Sequence, residues 1–165
     1  MSSLTPEELT AAVITVSDSC ARSERTDLSG PAVADSLRTK NFSIIGTGIV
    51  ADEQDAIKKA ILHWAGKARL VVTTGGTGIA ARDVTPEATQ QICERRLDGI
   101  AERMRFEGSK KTPFAVLSRG ICCVRGSSIV LNLPGSPSGA LESLQSVIDL
   151  LPHALELLSG RTEHR

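Results

Sequence analysis

Two short apolar runs, each ending in a glycine-rich turn, constrain the fold of this chain more than any other feature. Leu70-Val71-Val72-Thr73-Thr74 leads into Gly75-Gly76-Thr77-Gly78, and Ile129-Val130-Leu131-Asn132-Leu133 leads into Pro134-Gly135-Ser136-Pro137. Continuous β-branched runs bounded by such breakers suit strands buried on both faces, as in a parallel sheet. Open α/β sheets place ligands at the carboxyl ends of their strands. Two turns of this kind with charged residues nearby point to a phosphate-bearing ligand.

Composition agrees with that frame. The 165 residues suit one domain spanning 1–165, and an apolar content of 41% is enough for one core. Aromatic residues make up only 2% and Tyr is absent, so the core is expected to be aliphatic. That favours helices packed on a parallel sheet over an aromatic-rich sandwich, and it argues against a stacking surface for nucleic acid. Formal net charge is zero and no long single-sign run occurs. No stretch approaches a transmembrane span. The polar start Met1-Ser2-Ser3-Leu4-Thr5-Pro6-Glu7-Glu8 is no signal peptide, so a cytoplasmic protein is expected. Cys20, Cys93, Cys122 and Cys123 lack CxxC spacing and are expected to be reduced, with the side chains of the adjacent pair on opposite strand faces.

Strands are predicted over residues 11–16, 44–50 and 70–73, the second weakened by its glycines. Ser17-Asp18-Ser19 reads as a polar loop, continuing as an exposed stretch to Asp27. Ser29-Gly30-Pro31 opens a helix that turns Val33, Ala34 and Leu37 inward. A second helix covers about residues 53–65, with Asp52 near its N-cap. Thr85 is the expected N-cap of a helix with Pro86 at its first position, and another helix near 98–107 carries Ile100, Met104 and Phe106. Phe114-Ala115-Val116-Leu117 suits a short helix or a strand, and a hairpin around Gly126-Ser127 joins two apolar segments. The last helix, about 138–158, is expected to break at Pro152. The predicted class is α/β: a three-layer α/β/α sandwich with a mostly parallel sheet.

The chemistry-bearing residues lie near the turns. Gly75, Gly76 and Gly78 let backbone amides approach an anion, and Thr74 and Thr77 add hydroxyl donors. The pattern is neither GxGxxG nor a Walker A sequence. Asp52 and Asp83 would repel a phosphate unless a cation such as Mg²⁺ intervened. The plain alternatives are that Asp52 caps a helix and Asp83 pairs with Arg82. Arg119, in Ser118-Arg119-Gly120, either grips phosphate or is an ordinary surface arginine. Ser17, Asp18 and Asn132 either touch ligand or brace loops. Arg22, Arg25, Lys110 and Lys111 read as solvated charges, and His63, His153 and His164 have no HExxH or HxH spacing.

Taken together, Thr73-Thr74-Gly75-Gly76-Thr77-Gly78, Arg82-Asp83-Val84-Thr85-Pro86-Glu87-Ala88-Thr89, Leu117-Ser118-Arg119 and Asn132-Leu133-Pro134-Gly135-Ser136 resemble the molybdopterin adenylyltransferases. That family includes bacterial MogA and the G domain of gephyrin and its plant counterpart. Val16-Ser17-Asp18-Ser19-Cys20, Asp27-Leu28-Ser29-Gly30 and Leu151-Pro152-His153-Ala154 extend the resemblance, which covers about residues 12–158. It implies a three-layer α/β/α fold assembled as a homotrimer. It also implies a cytoplasmic nucleotidyltransferase of molybdenum cofactor synthesis, which moves AMP from ATP to the terminal phosphate of molybdopterin and releases pyrophosphate. Residues matching Asp52 and Asp83 would bind Mg²⁺ and act in catalysis, while the glycine turn and the Pro134-Gly135-Ser136 turn would contact nucleotide and pterin phosphate. A downstream molybdate-insertion protein is an implied partner. Asp98-Gly99, the charged stretch 105–111 and Lys67-Ala68 depart from the family pattern outside these motifs. The competing expectations are a catalytically silent molybdopterin-binding domain like the MoaB proteins, a scaffold, and a nucleotide-binding α/β domain with other chemistry.

Overall fold

The computed structural model describes residues 4–161; the first three residues of the polar amino terminus and His164 lie outside them. The chain runs β1 (Thr10–Val16), α1 (Asp18–Ala21), α2 (Ser29–Arg38), β2 (Ser43–Val50), α3 (Gln54–Trp64), β3 (Leu70–Thr74) and α4 (Thr85–Ile92). It continues through β4 (Arg95–Arg96), α5 (Asp98–Ser109), a 3-10 helix (Pro113–Leu117), β5 (Cys122–Arg125) and β6 (Ser128–Leu133). It ends with α6 (Pro137–Val147), a 3-10 turn (Ile148–Leu150) and α7 (Leu151–Leu158). The six strands form one sheet in the order β2-β1-β3-β6-β5-β4. Pairing is parallel from β2 to β6 and antiparallel beyond, where β5 and β6 form the predicted hairpin. Gly126, at φ +57, makes the turn between them.

Strand alternation sorts the core into two layers. Ala11, Val13, Leu70, Val72, Ile129 and Leu131 face α2, α5, α6 and α7, which contribute Val33, Leu37, Met104, Leu144, Leu151 and Leu155 among others. Ala12, Ile14, Val71 and Val130 face α3 and α4, which contribute Ile57, Ile61, Ala88 and Ile92. The expected three-layer α/β/α sandwich is therefore present, built on aliphatic side chains. Cys122 and Cys123 fall into opposite layers, and all four cysteines are free. Burial pushes the Cys122 thiol up to about 12. No helix among the described residues is long and apolar enough to cross a membrane.

Several local expectations are corrected. The polar stretch after β1 holds the short helix α1, which Ser17 caps by accepting from the Cys20 amide at 3.2 Å. Asp52 does lie beside the cap of α3, which is Glu53 and makes no side-chain cap bond. Val84 takes the cap position of α4, because the Thr85 hydroxyl is drawn to the Gly75 carbonyl at 2.9 Å. Phe106 is 63% exposed, and Ala101 joins Met104 in facing the core instead. The carboxy-terminal helix breaks at Ile148–Leu150, and Pro152 sits in the first turn of α7, where its missing amide costs nothing. Gly46 has a packing reason: a Cβ there would lie 2.1 Å from the Trp64 ring. A bulge beside it, with Ala11 opposite Ile44 and Ala12 opposite Gly46, adjusts the edge strand to that ring.

Candidate functional site

Because β1, β2, β3 and β6 are parallel, the loops 17–28, 51–53, 75–84 and 134–136 all leave the same rim of the sheet. The antiparallel β5 enters there, which adds 118–121. The glycine turn lies at its centre. Gly75 and Gly76 have φ of +99 and +68, and a Cβ would meet the Val16 carbonyl at 2.2 Å or the Thr85 hydroxyl at 2.3 Å. Both positions therefore require glycine. Gly75 donates to the Leu133 carbonyl at 3.0 Å, and a Cβ on Gly135 would stand 3.2 Å from the Gly75 Cα. The two glycine turns found in the sequence are thus in contact.

Both candidate carboxylates reach this turn. A Cβ on Gly76 would sit 3.2 Å from Asp52 Oδ1, and one on Gly78 would sit 2.7 Å from Asp83 Oδ2. Asp52 is held by a reciprocal pair: its Oδ2 accepts from the Asp18 amide at 2.8 Å, while its own amide donates to Asp18 Oδ1 at 2.9 Å. Arg82 forks onto Asp18 with Nε and Nη2, both at 2.9 Å. The expected alternative pairing of Arg82 with Asp83 is therefore replaced by one with Asp18. Asp83 instead accepts from the Ala80 amide at 3.0 Å, closing its own loop. Arg82 holds the Asp18 carboxyl below the usual range. Burial, followed by repulsion from Asp18 and Asp83, raises that of Asp52.

Two candidates are bonded within the protein. Asn132 is buried and donates to the Thr73 and Thr89 hydroxyls, each at 3.0 Å, while Oδ1 accepts from the Ile121 amide at 3.2 Å. Its amide is committed to joining β6, β3 and α4. Arg119 does not point its fork at open space. Nε donates to the Gly78 carbonyl at 2.8 Å, Nη2 to the Asp83 carbonyl at 2.7 Å, and Nη1 pairs with Glu87. It clamps the loop that carries Asp83, a role that neither expectation named.

A cleft of about 510 Å³ opens beside the turn, lined by Gly76, Thr77, Gly78, Asp83, Ser118, Asn132, Pro134, Gly135 and Ser136 from the expected set. Its far wall comes from α5 and the following 3-10 helix, through Ala101, Met104, Gly108, Phe114 and Leu117. Sequence reasoning missed this wall, along with Arg105, which lines the cleft and donates to the Gly120 carbonyl at 2.9 Å. The exposed Phe114 and Leu117, apolar residues beside a helix-breaking proline, were the available signal. Among the described residues no cluster of three or more His, Cys, Asp or Glu side chains suits a metal. A Mg²⁺ that arrives with phosphates needs only one or two carboxylates, and Asp52 with Asp83 provides hard oxygens of that kind.

Residues 12–153 match a family described as a probable molybdopterin binding domain. The chain belongs to this family. It is 39% identical over 152 residues to the molybdopterin adenylyltransferase of Helicobacter pylori, covering 90% of this chain and 86% of the relative. It is 40% identical to the Drosophila melanogaster molybdenum cofactor synthesis protein cinnamon, covering 92% of this chain but only 26% of that longer protein. Among solved structures, the molybdopterin biosynthesis enzyme MoaB of Thermus thermophilus superposes with a TM-score of 0.87 at 46% identity, covering 92% of this chain and 97% of MoaB.

Proposed function

We propose that this protein is a molybdopterin adenylyltransferase, moving AMP from ATP onto the terminal phosphate of molybdopterin in molybdenum cofactor synthesis. The observation that carries this reading is that Asp52 lies against Gly76 and Asp83 against Gly78 on one turn, which touches the second turn at Gly135 beside one cleft. The similarity to the Helicobacter pylori adenylyltransferase supports the choice of reaction.

The chemistry suits such a site. An oxygen of the acceptor phosphate attacks the α-phosphorus of ATP; that P–O bond forms as the bond to the bridging oxygen of pyrophosphate breaks. The nucleophile is already anionic, so no residue has to remove a proton. The protein's tasks are to hold two anions in line and to stabilise charge on the departing pyrophosphate. Amides of the two glycine turns and the hydroxyls of Thr77, Ser118 and Ser136 face or edge the cleft for the first task. Asp52 and Asp83 would hold Mg²⁺, which supplies charge neutralisation for the phosphates when bound. Asp18, already neutralised by Arg82, positions Asp52 through the paired amide bonds. The proposal extends to a cytoplasmic homotrimer that passes its product to a molybdate-insertion protein.

The test is incorporation of AMP into molybdopterin from Mg-ATP by the purified chain, with pyrophosphate counted as co-product. Adenylylated molybdopterin is the expected result. Tight molybdopterin binding with no AMP incorporated would overturn the enzymatic reading in favour of a silent binding domain.

A further inference from the structure

Two thiols meet on the face of the sheet that α3 and α4 cover. Cys123 belongs to β5, is fully buried and turns toward that layer. Cys93 ends α4, stays partly exposed and packs on the same layer. The residues on either side of Cys93 are tied to the β5–β6 hairpin. The Glu94 amide donates to the Val124 carbonyl at 3.0 Å, and the Arg125 guanidinium donates to the Ile92 carbonyl at 3.4 Å. Glu94 Oε2 also accepts from the Gly126 amide at 3.1 Å. Cys93 is thereby held beside Cys123. Burial first, and contact with the Cys93 thiol second, keep the Cys123 thiol protonated. Cys122 faces the opposite layer, and Cys20 belongs to α1.

The chain between these two cysteines is the far wall of the cleft. It holds β4, α5 and the 3-10 helix, brings Met104, Phe114 and Leu117 to the cleft, and includes Arg119 with its clamp on the Asp83 loop. On the other side of Cys93, α4 carries Glu87, which pairs with Arg119, and Thr89, which accepts from Asn132. A bond between the two sulfurs would close a covalent loop around the wall and fasten the end of α4 to β5. The Cys93 amide makes only a long bond, 3.4 Å to the Gln90 carbonyl, so the helix end is free to follow its sulfur.

We propose that Cys93 and Cys123 form a reversible dithiol–disulfide couple that ties down the far wall of the cleft, with a peroxide as oxidant and a small-molecule thiol as reductant. Peroxide reaches Cys93, the exposed partner, and Cys123 resolves the product. The Cys93 sulfur attacks a peroxide oxygen. The S–O bond forms, the O–O bond breaks, and the departing hydroxide leaves as water with the thiol proton. The Cys123 sulfur then attacks the Cys93 sulfur. The S–S bond forms, the S–O bond breaks, and a second hydroxide leaves as water with the Cys123 proton. The two thiols lose two electrons in all, and one peroxide is reduced to two waters. A small thiol reverses the bridge by exchange, ending as its own disulfide. Control of turnover by this couple rests on the adenylyl-transfer reading. Drawing the sulfurs together shifts the end of α4, which supports Arg119 and Asn132, and a displacement of about 1 Å in such a support can cost about 10²-fold in rate.

Hydrogen peroxide is the probe, added to the full chain and to Cys93→Ala, Cys123→Ala and Cys122→Ala. Intact mass and non-reducing peptide maps should show loss of two hydrogens and a link between Cys93 and Cys123 in wild type and in Cys122→Ala, both reversed by dithiothreitol. Cys123→Ala should instead hold a sulfenic acid at Cys93, trapped by dimedone. Cys93→Ala changes a partly exposed helix end, so it should fold and form no internal link. Oxidised wild type should melt on the order of 10 °C above the reduced form, as closing a loop of this length predicts, while peroxide should leave the melt of Cys93→Ala in place. Absence of the link, or a link through Cys20 or Cys122 in its stead, overturns the couple. Adenylyl transfer is scored on the same samples. Oxidation should slow it about tenfold or more in wild type, with recovery on reduction, and leave Cys93→Ala unmoved. A mapped link with unchanged turnover overturns the control and keeps the bridge. A mapped link in a chain that is inactive in both redox states keeps the bridge and overturns the adenylyl-transfer reading.

Discussion

Asp52 carries a carboxylate whose ionisation the fold opposes, through burial first and through Asp18 and Asp83 second. Its folded-state pKa therefore lies above its unfolded one. Such a group contributes its full stability below the unfolded pKa, and that contribution is lost as pH rises through the folded pKa. At neutral pH the charged form is a liability that a divalent cation would relieve. Asp52→Asn should accordingly melt higher than wild type at pH 7 without divalent ions. Solvent screening holds the gain below about 2–4 °C, the shift from 1 kcal/mol in a chain of this size. The difference should vanish once the pH falls below the carboxylate range. Melts across pH, with and without Mg²⁺, check this: Mg²⁺ should raise the wild type and leave Asp52→Asn unmoved. Asp83 differs, since its carboxylate closes its own loop by accepting from Ala80, a bond that asparagine can keep. Asp83→Asn should melt like wild type and lose about 10²-fold or more in turnover, the scale of removing one preorganised electrostatic group. Near-normal initial rates at saturating Mg²⁺ would remove Asp83 from the proposed machinery.

The loop between β3 and α4 shows why elements were easier to read than their joints. Glycines at 75, 76 and 78 announced a turn, and Pro86 announced a helix just beyond it. Where α4 begins depends on Thr85, whose hydroxyl was free in the sequence but bonds back to Gly75 across the turn. Arg119 is a similar case. It lies 41 residues from Gly78 and 36 from Asp83, so its clamp exists only once β5 and β3 share a sheet. Its type suggested an anion partner, and the fold supplied the Glu87 carboxylate together with two carbonyls. Arg119→Lys keeps the charge and loses the fork. That variant should fold, with turnover down about tenfold and a higher Mg²⁺ requirement, because Asp83 is no longer held. A rate that falls while molybdopterin affinity stays constant is the signature of positioning; a matching loss of affinity would make Arg119 a ligand contact after all. Asn132→Ala is harsher. It strands the Thr73 hydroxyl and the Ile121 amide in a buried setting, removes one partner of the Thr89 hydroxyl, and should cost about 1–3 kcal/mol by denaturant melts.

For the molecule as a whole, the layers were legible because the pattern of apolar residues decides which face of each strand and helix is covered. The rim was legible because parallel strands send their loops to one end. The far wall of the cleft was not, since α5 and the 3-10 helix after it reach the glycine turns only through tertiary packing. One consequence belongs to this scale alone. The site draws on the ends of β1, β2, β3 and β6 and on the entry to β5, and these strands span most of the sheet. A ligand bridging those loops therefore opposes unfolding of both core layers together. With free ATP at 100 times its dissociation constant, linkage adds about 2.7 kcal/mol. For a chain of this length that amounts to a rise of roughly 5–10 °C in melting temperature. The melt should stay a single transition with the nucleotide present, because only the two-residue edge strand β4 is left outside the bound rim. Splitting into two transitions on adding Mg-ATP would mean that nucleotide grips only one side. The proposed joint cradle of Asp52, Asp83, Gly76 and Gly135 would then have to be divided.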